Sequence, residues 1–598
     1  MLASKKFIYW LIIEQMYKNL TGLIFFLLLS FTGWAQQAVT LKVKVSGKDR
    51  EILRKYVYPL QFPDSLAARQ GIRSLMKQLQ HDGYLMASVD TFYYQQGTLY
   101  SQLFIGEKYR WARLRSGNVV ENLLIQAGYK EKLYTGKPFL PAEWVKLQEA
   151  VLTQAENNGY PFASIRLDSL DVSESFIDAS ILVEKGPLIL FDSLQINGAT
   201  KTTTRFLSRY LQIYPGQLYD QQKVNNVPRL LKQLPYLEST QSGLLQFGRD
   251  RARLYLFLKD KKSNQFDGIV GFLPEPKGKE QKLLVTGEVN LDIRNIKGSG
   301  KELGLHWRKV QRGSQLLNAS YLHPNLLGSP IELGFTFNLY KQDTAFITLK
   351  PRLQFGFNTP RAGKITFFTE LQNSRLLLSP VGLQARQDSI PLADFNYHAY
   401  GMQYLRQTLD DFYFPRRGYQ VSGQIAIGNK NIKRNLNREA SYYDTIRLKT
   451  TQISLSLRSE YYFKLNQRSV VLTRLNGEAL INPQLFYNDL FRLGGLNSLR
   501  GFPEYTFYAS RYAIGTLEYR LFTGSDSYVL LFYDQGYYHR QISKDRTQEY
   551  PFGLGTGISF STGAGIFQFI YSVGQSKVLN QPISLNYSRI HFGITSRF

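Results

Sequence analysis

The sequence predicts a chain in two parts, a series of small α+β repeats followed by an all-β barrel of 16 transmembrane strands. Three observations support this fold class. One segment of the first half recurs every 76 residues, and the second half alternates apolar with polar residues. Aromatic residues make up 14% of the chain. Tyrosine and phenylalanine are common in strands and form the aromatic girdles of membrane barrels.

The composition narrows the class of protein. The mean hydropathy of -0.26 argues against a helical membrane protein, whereas a barrel exposes only alternate residues to lipid. The net charge of +27 is spread among tyrosines and leucines rather than gathered in a stripe. Such a diffuse excess fits anionic lipid headgroups or a polar lumen at least as well as nucleic acid. The chain has no cysteine, which excludes disulfides and thiolate metal sites.

The N-terminus has the layout of a secretory signal peptide, which we expect over residues 1–35. An apolar run from Leu23 to Phe31 follows Lys18 and is too short to span a bilayer. Gly33 and Ala35 supply the small residues that a signal peptidase reads, so cleavage is predicted after Ala35.

Three repeats are predicted in the first half of the chain. Each has a tyrosine that follows an amphipathic helix, at Tyr84, Tyr160 and Tyr236. A strand pair follows each helix and a short strand opens the unit, so the helices should cover one face of a small sheet. The sheet leaves an edge that can accept an extended client strand, although a spacer role would explain the same pattern. The predicted bounds are 36–107, 108–186 and 187–261.

Residues 262–598 are predicted to form the barrel. In the last strand Ile590 and Phe592 alternate with Arg589 and His591, as lipid-facing and lumen-facing residues do in a transmembrane strand. An even strand number matches bacterial barrels, and closure leaves no unpaired edge in lipid. The predicted strands are 264–274, 281–293, 300–310, 314–322, 330–340, 345–358, 363–377, 396–407, 418–429, 448–464, 468–480, 512–523, 527–537, 551–562, 566–574 and 588–598.

The longest connection, between predicted strands 11 and 12, contains a candidate site. Its Arg500 has two possible partners, because alternation points Glu518 of strand 12 into the lumen and strand 13 carries Asp534. A planar guanidinium can donate charge-assisted hydrogen bonds to both carboxylates. The predicted loop motif is Leu499, Arg500, Gly501 and Phe502, and its predicted lumen partners are Glu518, Phe532, Asp534 and Gly536.

These motifs resemble the BamA/TamA superfamily of POTRA-barrel outer-membrane proteins, in a TamA-like form with three POTRA domains. The resemblance covers almost the whole mature chain. It implies that the long connection folds back into the lumen and that Arg500 pairs with lumen carboxylates. It also implies that the first and last strands meet at a seam that opens sideways. The motifs that carry it are Leu499–Phe502, Phe532–Gly536, Phe414–Tyr419 and Gly287–Asn290.

The function that this resemblance implies is insertion of client β-barrel or secreted proteins by strand pairing at the seam. The implied location is the outer membrane of a Gram-negative bacterium, with the repeats in the periplasm. The expected partners are unfolded clients, outer-membrane lipid including anionic headgroups, and periplasmic or lipoprotein accessory subunits. Glycine weakens strand packing and would favour opening of the seam, although curvature would explain the same glycines. The predicted seam residues are Gly268, Gly271, Gly593 and Phe598.

Other classes of function compete with insertion. The six histidines are dispersed, no spacing resembles a metal site, and the glycine run at 553–557 lies in a strand rather than a phosphate-binding turn. We therefore expect no enzyme activity, no metal and no cofactor. A two-partner-type secretion transporter shares the barrel motifs but usually carries two POTRA domains. A gated channel and a factor in envelope lipid homeostasis also remain open.

Overall fold

The computed structural model describes residues 38–274, 283–311, 314–359, 363–377, 391–435, 440–542, 545–562 and 565–596. The predicted signal peptide lies outside these residues. The chain divides into two compact units, residues 1–188 and 189–598. The first contains two α+β repeats, and the second contains a third repeat and a large sheet. No described helix has both the length and the apolar character needed to cross a membrane.

The first repeat consists of β1 (Val39–Val45), α1 (Asp49–Leu53), β2 (Gln61–Phe62), α2 (Ser65–His81), β3 (Ser88–Gln95) and β4 (Thr98–Phe104). Its sheet has the order β2-β1-β4-β3, and β1 runs parallel to β4. Ile72, Leu75 and Leu79 repeat at helical spacing along α2 and are buried against Leu41 and Leu99 of the sheet.

The second repeat consists of β5 (Arg110–Arg115), α3 (Glu121–Gln126), α4 (Pro141–Glu156), β6 (Ser164–Ser173) and β7 (Phe176–Glu184). Its sheet has the order β5-β7-β6. Leu147 and Val151 of α4 pack against Trp111, Ile177 and Ile181 of the sheet. The opening strand β5 pairs in parallel with the closing strand β7, as the equivalent strands do in the first repeat.

The third repeat consists of β8 (Leu190–Asn197), α5 (Thr204–Leu211), α6 (Gln221–Lys232), β9 (Leu237–Ser239), β10 (Leu244–Phe247) and β11 (Arg251–Asp260). Leu207, Leu230 and Leu231 of its helices are buried against Phe191 and Leu256 of its sheet. In the first two repeats, the tyrosine that recurs in the sequence follows the same type of backbone turn at the C-terminal end of the long helix. The amides of Tyr84 and Tyr160 reach back to helix carbonyls, each at 3.0 Å, after a glycine with positive φ.

The remainder of the second unit is one antiparallel sheet, with a small hairpin inserted into it. The elements are β12 (Gln265–Pro274), β13 (Leu283–Ile296), β14 (Lys301–Gln311), β15 (Ser314–His323), β16 (Ile331–Gln342), β17 (Phe346–Thr359), β18 (Gly363–Leu376), β19 (Asp394–Gln407), β20 (Gly418–Lys433), β21 (Lys449–Lys464), β22 (Ser469–Ile481), β23 (Phe491–Leu493), β24 (Phe507–Ala509), β25 (Arg511–Phe522), β26 (Ser527–Ile542), β27 (Asp545–Glu549), β28 (Phe552–Thr562), β29 (Gly565–Gln575) and β30 (Arg589–Ser596).

Among the described residues the large sheet has 17 strands, one more than the 16 that the alternation predicted. The additional strand is β27, which pairs with Tyr538–Ile542 of β26. Nearer the middle of the barrel, β28 pairs directly with β26 over Ser527–Gln535. With five residues, β27 is shorter than the ~9–11 that a tilted transmembrane strand needs, so it extends a hairpin rather than adding a span.

Alternation along the strands divides apolar from polar side chains. On β25, Leu517 is 54% exposed on the outer face, whereas its neighbour Glu518 is 3% exposed in the interior. On β26, Leu531 and Tyr533 face outward, and Asp534 is fully buried inside. This lipid-facing and lumen-facing pattern is the one a membrane barrel requires.

The third repeat is hydrogen-bonded to turns at one end of the sheet, which we call the repeat end. The Thr203 amide donates to the Gly298 carbonyl at 2.9 Å, in the turn between β13 and β14. Gln212 Nε2 donates to the Asn358 carbonyl at 3.0 Å, at the end of β17. A β-carbon on Gly298 would stand 1.8 Å from the Lys201 carbonyl oxygen, so this contact requires glycine. The opposite end of the sheet is called the loop end.

Candidate functional site in the barrel lumen

The connection between β22 and β25, residues 482–510, enters the interior of the barrel and is called the lumen loop. Its arms form the short hairpin β23-β24, with Phe491 opposite Ala509. The tip turns at Gly494, whose φ of +115° suits glycine. Ser498 stabilises this turn through two hydrogen bonds. The Gly494 amide donates to Ser498 Oγ at 2.7 Å, and the Ser498 hydroxyl donates to the Gly494 carbonyl at 2.8 Å.

Arg500, near the tip, is bound by Glu518 and Asp534, the two carboxylates predicted as its partners. Its Nε and Nη2 donate to the two oxygens of Asp534, each at 2.7 Å, and its Nη1 donates to Glu518 Oε2 at 2.7 Å. The Arg500 side chain is 5% exposed, so solvent competes little for these bonds. The guanidinium also lies 3.5 Å from the centre of the Phe532 ring. The two-pronged pairing with Asp534 uses the planar geometry that only arginine offers.

Two further wall residues complete the network around Arg500. Arg520 Nε donates to Glu518 Oε1 at 2.7 Å, and the Thr516 hydroxyl donates to Asp534 Oδ1 at 2.8 Å. Two buried cations therefore face two buried carboxylates, which compensates the cost of removing four charges from water. Sequence reasoning missed Arg520 and Thr516 as site residues, although both share the inward register of Glu518.

The rest of the loop motif is held by close backbone packing against the wall. Gly501 has φ of +92°, and a β-carbon on it would lie 2.7 Å from the Val573 carbonyl oxygen. Phe502 is fully buried, with its ring in the space that a side chain on Gly574 would occupy. The predicted residues Leu499 and Gly536 also meet here, because a β-carbon on Gly536 would lie 3.3 Å from a Leu499 methyl.

A second anchor, near the loop end, was not predicted from the sequence. Lys430 of β20 forms an ion pair with Asp489, and both side chains are at most 1% exposed. The Lys430 ammonium also lies 4.4 Å from the Phe395 ring centre. Beside it, Asn488 Nδ2 donates to Ser374 Oγ at 2.7 Å. The lumen loop is therefore attached at its base as well as at its tip.

The turn motif Phe414–Tyr419 acts at the repeat end rather than in the lumen. Arg416 donates to the carbonyl oxygens of Gln467, Gly524 and Ser525 at 3.1, 2.7 and 3.0 Å. Its guanidinium lies 4.0 Å from the centre of the Phe522 ring. One arginine thus joins three neighbouring turns of the barrel.

The predicted seam lies between β12 and β30, the two ends of the sheet. Their Cα atoms approach within 8 Å, but no ladder pairing joins residues 265–274 to residues 589–596. Gly268 is exposed beside Phe266, and Gly271 pairs with Thr286 of β13. A β-carbon on Gly593 would lie 3.4 Å from the Leu496 side chain, so the loop tip contacts the last strand. The predicted seam residue Phe598 lies outside the described residues.

The site is a structural network of charges and close backbone contacts. In the described part of the chain, no group of three or more histidine or acidic side chains is arranged to hold a metal ion. Arg520, Glu518, Arg500 and Asp534 form one chain of ion pairs in that order. The arrangement can position the lumen loop against the wall and against the last strand.

Comparisons with known proteins agree with this architecture. The chain resembles the solved structure of CdiB from Acinetobacter baumannii, with 15% identity, 89% of this chain and 97% of that chain covered, and a TM-score of 0.52. It also resembles CdiB from Escherichia coli, with 12% identity, 92% and 99% coverage, and a TM-score of 0.52.

A further similar structure is BamA from Haemophilus ducreyi lacking POTRA domains 1–3, with 15% identity, 82% and 99% coverage, and a TM-score of 0.41. No curated protein sequence matches the chain. The model of the Omp85 superfamily domain matches residues 295–598, which include most of the sheet and the whole lumen loop. The chain therefore belongs to the Omp85 superfamily.

Proposed function

We propose that this protein inserts client β-barrel or secreted proteins at the outer membrane through the seam between β12 and β30. The observation that carries the proposal is the lack of ladder pairing between the described residues of these two strands. Membership in the Omp85 superfamily supports an outer-membrane location, with the repeats in the periplasm.

The driving force is backbone hydrogen bonding. Unpaired amides and carbonyls at a strand edge are costly in hydrocarbon, so an edge beside lipid favours the addition of another strand. A client strand that pairs with β12 satisfies its own backbone and that of the edge at once, as in β-augmentation. No covalent chemistry and no cofactor take part in this step.

The lumen loop supports the seam from inside. Its tip is bound through Arg500 to β25 and β26 and contacts β30 at Gly593. A bound loop therefore helps to hold the last strand in place while the first strand is free to pair with a client.

A disulfide tether across the seam tests the proposal. The chain has no cysteine, so a pair introduced at positions 266–268 of β12 and 592–594 of β30 forms the only disulfide. The oxidised protein should lose client insertion and regain it on reduction. The control joins Val289 and Trp307, which already face each other across the β13–β14 ladder, and should stay active when oxidised. Full activity of the locked seam would contradict the proposal.

Depletion of the protein, followed by analysis of the outer-membrane proteome and lipids, then shows how many clients depend on it. Loss of many barrel proteins from the outer membrane indicates a general insertase. Loss of one or a few indicates a dedicated assembly or secretion factor. An unchanged proteome with altered lipid composition would reject insertion in favour of lipid homeostasis.

A further inference from the structure

The outer face of the barrel carries a groove that crosses the wall strands β19, β20, β21, β22, β25 and β26. Its cavity volume is about 610 Å³. The exposed side chains of Met402, Ile425, Leu455 and Leu475 line it, together with Tyr537. All of these point away from the lumen, because their strand neighbours carry the buried polar residues.

Three small residues in one cross-strand row, Gly423, Gly477 and Ala513, form the floor of the groove, and Leu457 of β21 stands between the two glycines. Gly423 faces Leu457, which in turn faces Gly477, and Gly477 faces Ala513 on β25. A β-carbon on Gly423 would meet no atom within 4 Å. The depression therefore coincides with positions on β20, β22 and β25 that carry no side chain or only a methyl group.

The width of the groove indicates the size of its occupant. It crosses six adjacent strands, β19 to β22, β25 and β26. At roughly 4.8 Å between strands, this is about 24 Å, several times the width of one hydrocarbon chain. A lipid with several acyl chains fits such a surface better than a lipid with one, because more of the depression is filled by contact.

Two cations stand at the loop end of this face. Arg511 lines the groove and faces His539 on β26, and Arg546 of β27 faces Gln541 on the same strand. Both arginines are exposed, and within the described residues neither forms an ion pair with a carboxylate. Two unpaired guanidinium groups beside an apolar groove complement an anionic headgroup, and phosphate matches their fork geometry.

We propose that the groove binds a phosphorylated, multiply acylated lipid of the outer leaflet, with its acyl chains on the glycine and alanine floor and its phosphates at Arg511 and Arg546. The inference rests on the outer-membrane location proposed above, in which the loop end faces the outer leaflet. It does not depend on the seam, since β28 and β29 separate the groove strands from β30 in the strand order.

Native mass spectrometry of the full-length protein tests this site, with lipopolysaccharide and phosphatidylglycerol as probes. The unmodified protein should retain lipopolysaccharide in preference to phosphatidylglycerol. The double variant R511Q/R546Q should bind lipopolysaccharide about tenfold or more weakly, through loss of charge-assisted bonds. A513F should also weaken binding, because the ring fills the floor while both arginines remain.

The matched control is R375Q, which removes an exposed arginine at the loop end of β18, outside the groove. It should bind lipopolysaccharide like the unmodified protein, and heat-modifiable gel migration checks that every variant is folded. Equal lipopolysaccharide retention by R511Q/R546Q, or equal retention of the two lipids, would overturn the proposal. Cross-linking of two copies of the protein through A513C would also overturn it, because a second copy would then cover the groove. Client insertion at the normal rate by R511Q/R546Q would show that this site is separate from the seam.

Discussion

Gly553 of β28 lies directly beneath Arg500, so close that a β-carbon on Gly553 would stand 1.9 Å from the Arg500 carbonyl oxygen. The sequence alone assigned no role to the glycine run at 553–557. In the structure, its first glycine allows the backbone of the lumen loop to lie against the wall, which brings the guanidinium within reach of Asp534.

Gly553→Ala should therefore displace the loop tip and destabilise the barrel by ~1–3 kcal/mol, as overpacking does. Cleavage by protease within residues 494–506 and the urea midpoint of unfolding measure the two effects. Gly515→Ala is the control, because a β-carbon on Gly515 meets no atom within 4 Å. Equal behaviour of the two variants would argue against close packing as the cause.

Arg500→Ala should leave Asp534 and Glu518 buried without their partner. Breaking a buried pair from one side costs ~3–5 kcal/mol, so we expect a lower urea midpoint, a protease-sensitive tip and reduced insertion activity. Arg500→Lys should recover only part of this, since an ammonium cannot bind Asp534 through two parallel bonds. Arg375→Ala, at an exposed position, serves as the control. A protease-resistant tip in Arg500→Ala would refute the anchoring role.

The ion pair between Lys430 and Asp489 predicts a strong coupling between two positions. Asp489→Asn or Lys430→Met alone leaves one buried charge and should cost ~3–5 kcal/mol. The double variant should be closer to the unmodified protein than the sum of the singles, with a coupling energy of ~0.5–3 kcal/mol in a double-mutant cycle. Additive effects in urea unfolding would show that the two side chains act independently.

The contact of the third repeat with the barrel predicts a specific effect at Gly298. Gly298→Ala should loosen the repeat, because its β-carbon would strike the Lys201 carbonyl and its φ is +69°. Hydrogen exchange at the Thr203 amide should then be faster. Gly216→Ala has a similar φ of +80° with nothing within 4 Å, so it isolates the cost of backbone strain. Similar exchange rates in both variants would assign the effect to strain alone.

Acid should weaken one contact in the first repeat. The Tyr56 hydroxyl donates to Asp82 Oδ2 at 2.7 Å, and this bond lowers the pKa of Asp82 below its ordinary value. A lowered pKa means that the stabilisation is present above the unfolded pKa and is lost as pH falls through the folded value.

Tyr56→Phe should therefore reduce the difference in stability of the first unit between pH 7 and pH 3. Chemical denaturation of the protein at pH 7 and at pH 3, followed by the fluorescence of the first unit, measures that difference. Tyr58→Phe is the control, since burial raises the pKa of Tyr58 without a carboxylate partner among the causes. An unchanged pH response in Tyr56→Phe would count against the contribution of this bond.

Strand positions are the part of the fold that the sequence predicts best. Predicted and observed bounds agree within a few residues for 16 strands, because alternation of period two is imposed locally by the lipid on one side and the lumen on the other. The strand that was missed, β27, has five residues outside the long spans and carries no such constraint. The repeat helices were recognised for the same reason, since each has one apolar face against a sheet.

For the site, the sequence by itself determined which way Glu518 points and that Arg500 lies in a long connection near it. Only the tertiary structure decided that Arg500 binds Asp534 through two bonds and that Arg520 shares Glu518. It also decided that Lys430 meets Asp489, 59 residues away in the chain. The alternation along a strand shows which residues of that strand face the lipid and which face the lumen. Contacts between the loop and the wall depend on strand register and on how closely glycines let two backbones approach, and neither leaves a local pattern.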